Sequence, residues 1–128
     1  MNVVKEIIEL RKIIEDARYK INTLADHYGR TVDSNEYYEK LIENTVKHYG
    51  ISSEEIKGQS RKLDIVNCRF VIVYLLLENT LMTLKDIGLL LGKRDHSTII
   101  NARDKVKGYI DVKDYITLEM INKIKIVS

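Results

Sequence analysis

No proline occurs anywhere in the chain, tryptophan is absent, and Cys68 is the only cysteine. A single thiol excludes an intrachain disulfide and the metal motifs built on paired cysteines, and it fits a reduced, cytoplasmic setting. The lack of proline removes the residue that most often kinks or ends a helix. Long apolar runs are missing too: "FVIVYLLL", residues 70–77, falls well short of the roughly 20 residues needed to span a bilayer. The opening "MNVVKEIIELRK" mixes charges into its apolar residues too early for a secretory signal. The expectation is therefore a chain with no export and no membrane partner.

There is also little excess of charge of either sign, the formal net charge being +2 over 128 residues. The length suits about one domain with a real core. The small net charge hides an asymmetry. Residues 61–110 hold nine Lys and Arg against five acids, whereas residues 34–60 hold three against five. A basic middle points towards a polyanion such as nucleic acid, with ordinary solubility as the competing explanation.

What is present is helical periodicity. Apolar residues recur at steps of three and four rather than alternating, so the fold class expected is all-α. Val3, Ile7, Leu10, Ile14, Ala17, Ile21, Leu24 and Tyr28 form one stripe of a long amphipathic helix ending near Gly29. Val4, Ile8 and Ile13 widen the stripe beyond a strict coiled-coil seam, and Glu6 with Arg11 offers one charge pair. Two readings fit: an arm over residues 3–28 that makes a homodimer or grips a protein partner, or a helix laid against its own domain.

The polar stretch "GRTVDSNE", residues 29–36, reads as a connector. It divides the chain into residues 1–33, the coiled-coil-like helix with its connector, and residues 34–128, a helical bundle. The next helix, about 35–49, carries Tyr38, Leu41, Ile42, Thr45, Val46 and Tyr49 on one side and ends at Gly50. Ser52 and Glu55 have capping-box spacing for a short helix, about 54–57. "GQSRKLD", residues 58–64, is a basic loop, with Asp64 expected to cap a buried helix running through Glu78. After a break at residues 79 and 80, Thr83 caps a short helix with Leu84, Ile87, Leu90 and Leu91 inward. Gly92 closes it, Lys93 and Arg94 make a tight turn, and another helix starts near Asp95 and runs to Gly108.

Two short helices joined by such a turn are a helix-turn-helix, whose second helix places its first residues in the DNA major groove. Ile99, Ala102 and Val106 would pack behind it with Ile100 beside them. Asp95, His96, Ser97, Thr98 and Asn101 remain outside, and base edges are read by just such hydrogen-bonding groups. A catalytic reading of the Asp95, His96 and Ser97 letters fails on geometry, because neighbouring helical residues point about 100° apart and cannot line up as nucleophile, base and orienter. No enzyme, cofactor or metal is expected. His96 has no second histidine one turn away, and His27 and His48 lie on other helices. "GLLLGKR", residues 88–94, is no nucleotide loop, having three residues between its glycines where four are needed and no Ser or Thr after the lysine.

"IGLLLGKRDHSTIINARDKV", residues 87–106, resembles the signature of the C-terminal DNA-binding domain of the bacterial replication initiator DnaA, and the resemblance extends without gaps over roughly residues 36–128. It implies a helical bundle holding a helix-turn-helix that binds a short, asymmetric duplex site. It further implies that Asp95, His96 and Ser97 read bases in the major groove while Arg61 enters the adjacent minor groove. Arg69, Thr98 and the turn around Leu84 and Lys85 would hold phosphates. Lys62, Lys93, Arg94 and Asn101 complete the set expected near the DNA backbone. Asp95 as a plain helix cap and His96 as a solvated side chain are the alternatives.

Several residues depart from the pattern. The basic loop keeps only Arg61, Lys62 and Arg69 and adds the acid Asp64. Cys68 and Lys85 stand where prolines are common, and Leu77 where a lysine is expected. Fewer phosphate contacts predict weaker, less salt-sensitive binding. The family's ATPase module has no counterpart in these residues, so ATP-driven assembly is not expected. The function expected is sequence-specific duplex binding, as an accessory or regulator of replication initiation or transcription in the cytoplasm and at the nucleoid. The alternative is a protein-interaction module working through residues 3–28, with the DnaA-like part as scaffold.

Overall fold

The computed structural model describes residues 3–28 and 34–126, except the side chains of residues 15 and 18–28. All seven elements among the described residues are helices: α1 (Val3–Tyr28), α2 (Ser34–Tyr49), α3 (Ser53–Lys57), α4 (Leu63–Asn79), α5 (Leu84–Leu90), α6 (His96–Asp111) and α7 (Tyr115–Ile124). The all-α expectation holds. No helix among the described residues is long and apolar enough to cross a membrane. The connector residues 29–33, and the stripe positions Ile21, Leu24 and Tyr28 with His27, fall outside the described residues or side chains.

α4 is the axis of the bundle. Ile65, Cys68, Val71, Ile72, Val73, Leu75, Leu76 and Leu77 are all buried, so it is apolar over most of its circumference, with Asn67, Phe70, Tyr74 and Glu78 on a half-buried strip. A helix of that kind must be covered on most sides. The covering comes from α1, α2, α3, α5, α6 and α7. Leu41 of α2, Ile56 of α3, Ile87 and Leu91 of the α5 segment, Ile99 and Val106 of α6 and Ile124 of α7 meet it with essentially no exposure. Each such side chain contributes roughly 1.5–3 kcal/mol on leaving water. Asn44 ties α2 to the end of α7, its Nδ2 donating to Ile124 O at 2.9 Å.

Local signals fix the helix ends. Ser52 and Glu55 close a reciprocal capping box on α3, and Gly50 before it takes the left-handed conformation at φ 66°. Three expectations are corrected. Asp64 is not the cap of α4: the helix begins at Leu63 with Lys62 at the cap and no side-chain cap bond, which puts Asp64 inside the first turn, where its charge suits the positive helix end. Gly108 does not end α6, which continues to Asp111, and the left-handed residue comes only at Lys113 (φ 56°). Val46 is 47% exposed rather than core, standing about 100° around the helix from buried Thr45. α7 was not singled out from the sequence. Its cap is Asp114, which accepts from Thr117 N at 3.0 Å.

Candidate nucleic-acid interface

The helix-turn-helix consists of α5, the turn 91–95 and α6. Thr83 and Asp86 form a capping box that starts α5, with both cross-bonds at 3.1 Å. The turn needs two successive left-handed residues, Gly92 at φ 86° and Lys93 at φ 63°. Lysine at such an angle carries a steric cost that glycine does not, so the close of the turn is held by its surroundings. Arg94 N donates to Gly88 O at 2.8 Å, locking the turn back onto α5.

Asp95 is the cap of α6. Its Oδ1 accepts from Thr98 N at 2.8 Å and from Ser97 Oγ at 2.9 Å. The main-chain bond from Thr98, reinforced by the two hydroxyls and by His96, holds its carboxyl below the usual carboxylate range. Ser97 thus gives its proton to the cap carboxylate and not to an imidazole. Ile99, Ala102 and Val106 are buried, and Ile100 is half-buried. Asp95, His96, Ser97, Thr98 and Asn101 are all exposed. Lys85, Leu89, Lys93, Arg94, Asp95, His96 and Ser97 line one open groove along the face of the motif. Leu89, 56% exposed, is the leucine of "GLLLG" that the inward set Leu84, Ile87, Leu90 and Leu91 leaves out.

The basic loop lies beside this face. Arg61 and Lys62 are exposed, and Ser60 Oγ accepts from Lys62 N at 3.3 Å. The other two arginines expected at the DNA backbone are turned inward. Arg69 is 7% exposed, and its guanidinium donates to the carbonyl oxygens of Ile56 (2.8 Å), Gly58 (3.2 Å), Glu55 (3.3 Å) and Ser60 (3.4 Å). Arg94 donates to Lys57 O at 3.2 Å, to Gly58 O at 2.5 Å and to Leu91 O.

The physical reason lies at the end of α3. The last carbonyls of a helix have no partners within it and carry the negative end of its dipole. Two cations of forked geometry satisfy them. Burial lowers the pKa of both guanidinium groups, and for Arg69 the neighbouring charge of Arg94 adds to the effect. Nothing in the sequence distinguishes these two arginines from Arg61. Which main-chain oxygens are left unpaired nearby is a tertiary property.

Comparison with known proteins matches residues 38–106 to the family described as the bacterial DnaA protein helix-turn-helix. The chain is 31% identical over 121 residues to the chromosomal replication initiator protein DnaA of Chloroflexus aggregans, covering 94% of this chain and 25% of that protein. It is 33% identical over 106 residues to the protein of the same name from Chloroflexus aurantiacus strain J-10-fl, covering 83% of this chain and 22% of that protein, and the relative from strain Y-400-fl matches equally. The chain thus spans about a quarter of the length of the curated relatives it matches.

Proposed function

The chain belongs to the bacterial DnaA helix-turn-helix family, and on that footing we propose that it is a sequence-specific reader of double-stranded DNA acting as an accessory or regulator of replication initiation. The observation that carries the reading is the first turn of α6. Asp95, His96, Ser97 and Thr98 stand exposed on a helix anchored from behind by Ile99, Ala102 and Val106, with the exposed Arg61 on the adjoining loop. In the major groove such side chains meet base edges, His96 as donor or acceptor, Thr98 also through its methyl. Arg61 suits the concentrated negative potential of a narrow minor groove. Lys62, Lys85 and Lys93 supply the phosphate charge that sets the register.

Selection of bound sequences from a random duplex pool tests this. A single enriched motif is expected. On that motif His96→Ala and Arg61→Ala each cost about 1–3 kcal/mol, or roughly 5- to 150-fold in affinity, at fixed salt. No enrichment, or unchanged affinity in both variants, would sink the reading.

A second observation favours a role for α1. Val3, Ile7, Leu10 and Ile14 are 44–59% exposed and Val4, Ile8 and Ile13 are 61–66% exposed, although α1 meets α4. With Ile7 and Ile14 at the a positions of a heptad, Leu10 falls at d, the combination that favours parallel two-stranded pairing. Glu6 and Arg11 then face each other across the seam at g and e. We read this arm as a pairing surface for a second copy of the chain, with residues 34–128 as the DNA-reading unit.

A further inference from the structure

We infer that Arg69 and Arg94 are positioning residues, which hold the carbonyls of residues 55–60 so that the loop carrying Arg61 keeps a fixed offset from the first turn of α6. The inference rests on the duplex-reading function proposed above and departs from the phosphate-contact role that sequence resemblance gives both side chains.

An arginine has five N–H donors in a rigid plane. Those of Arg69 are directed at four carbonyls within one turn and loop, and the side chain is only 7% exposed. Arg94 sits one residue before the cap of α6 and reaches Lys57 O and Gly58 O, 37 and 36 residues earlier, together with Leu91 O at the close of α5. It therefore spans both DNA-facing elements, the turn and the loop. Both guanidinium groups reach Gly58 O, one from α4 and one from the turn. With the loop carbonyls gathered inward, Arg61 and Lys62 of the same loop are left exposed. Gly92 completes the contact. Its missing side chain leaves room for Lys57 O, which a Cβ would strike. A protein that reads two grooves at once needs its two reading elements held at one separation before DNA arrives, since ordering a loop on binding lowers affinity.

Lysine at either position keeps the charge but presents donors from a single point and cannot hold several divergent carbonyls. The first test uses the free protein. In Arg94→Lys, exchange of the Gly58 and Lys62 amides, which donate to Glu55 O and Ser60 Oγ, is expected to accelerate about tenfold or more while α4 and α6 stay protected. Unchanged exchange would overturn the inference. Arg69→Lys is the companion variant, and the half-buried Arg94 carries the test if the Arg69 variant does not fold.

The second test is a double-mutant cycle on the duplex enriched by the wild-type protein. Arg61→Ala is expected to cost about tenfold in the wild-type background and less than about threefold in Arg94→Lys, while His96→Ala costs the same in both. Equal Arg61 effects in the two backgrounds would overturn the inference. If the pool yields no motif, the functional reading falls, and the amide-exchange result still decides whether the arginines order the loop.

Discussion

Gly88 and Arg94 share one small space: Arg94 N donates to Gly88 O at 2.8 Å, and a Cβ on Gly88 would collide with the main-chain oxygen of Arg94. The turn of the helix-turn-helix closes only because position 88 has no side chain. Gly88→Ala is expected to destabilise the fold by about 1–3 kcal/mol through overpacking against backbone that cannot yield. Gly108→Ala is its control. Nothing lies within 4 Å of a Cβ there, so alanine inside α6 should stabilise by about 0.5–1 kcal/mol. Thermal melting of the two variants reads both signs.

Asp95 caps α6, and substitution can separate that role from the base reading proposed for it. Asparagine remains a good helix cap, so Asp95→Asn should change stability by no more than about 0.5 kcal/mol, whereas Asp95→Ala should lose about 1 kcal/mol. Under the proposed duplex reading both should lose discrimination at one base pair, because an ionised carboxylate only accepts hydrogen bonds and asparagine also donates them. Binding to single-position variants of the enriched duplex, paired with melting curves, separates the roles. A stability loss in Asp95→Asn as large as in Asp95→Ala would contradict the account.

Cys68 is fully buried, and burial, with a smaller push from Asp64, raises its thiol to about 12. The thiolate is the reactive form. Native protein at pH 8 should therefore react with a thiol reagent much more slowly than protein unfolded in denaturant, and a single equivalent should be released on unfolding.

The same shift predicts alkaline weakening. Cys68 at about 12 and Tyr37, also raised to about 12 by burial, both exceed their ordinary values of 9.0 and 10.0. Groups held protonated by the fold stabilise it fully below the unfolded pKa and cease to do so as pH rises through the folded one. Stability should be level near neutrality and decline from about pH 9 towards pH 12. Denaturant melts across that range measure the slope, and Cys68→Ala should reduce it.

The exposed stripe of α1 gives a prediction independent of DNA. If a second copy pairs along it, a chain lacking residues 1–33 should be monomeric in light scattering where the full chain is dimeric. Ile7→Asp with Ile14→Asp should reproduce the monomer without shortening the chain. An unchanged monomeric mass in all three would remove the pairing arm.

Much of the fold was legible because its causes are local. A period of three to four apolar residues, Ser52 with Glu55, Thr83 as a cap and the Gly92 turn each act within about one turn of helix, so spacing alone gave every helix but α7, and the starts of α3, α5 and α6. Where a local signal had a rival it was misread. Asp64 has the chemistry of a cap, but the helix begins before it. Gly108 has the chemistry of a stop, but open solvent lets it sit in mid-helix.

Taken by itself, the sequence determined an all-helical chain and a second motif helix with Asp95, His96, Ser97 and Thr98 on its outer first turn, because periodicity and caps are properties of neighbouring residues. Only the tertiary structure decided what each arginine does. Arg61 faces outward, whereas Arg69 and Arg94 turn to the carbonyls at the end of α3. That choice depends on which main-chain oxygens the finished bundle leaves without partners, and those oxygens lie as far as 37 residues away along the chain.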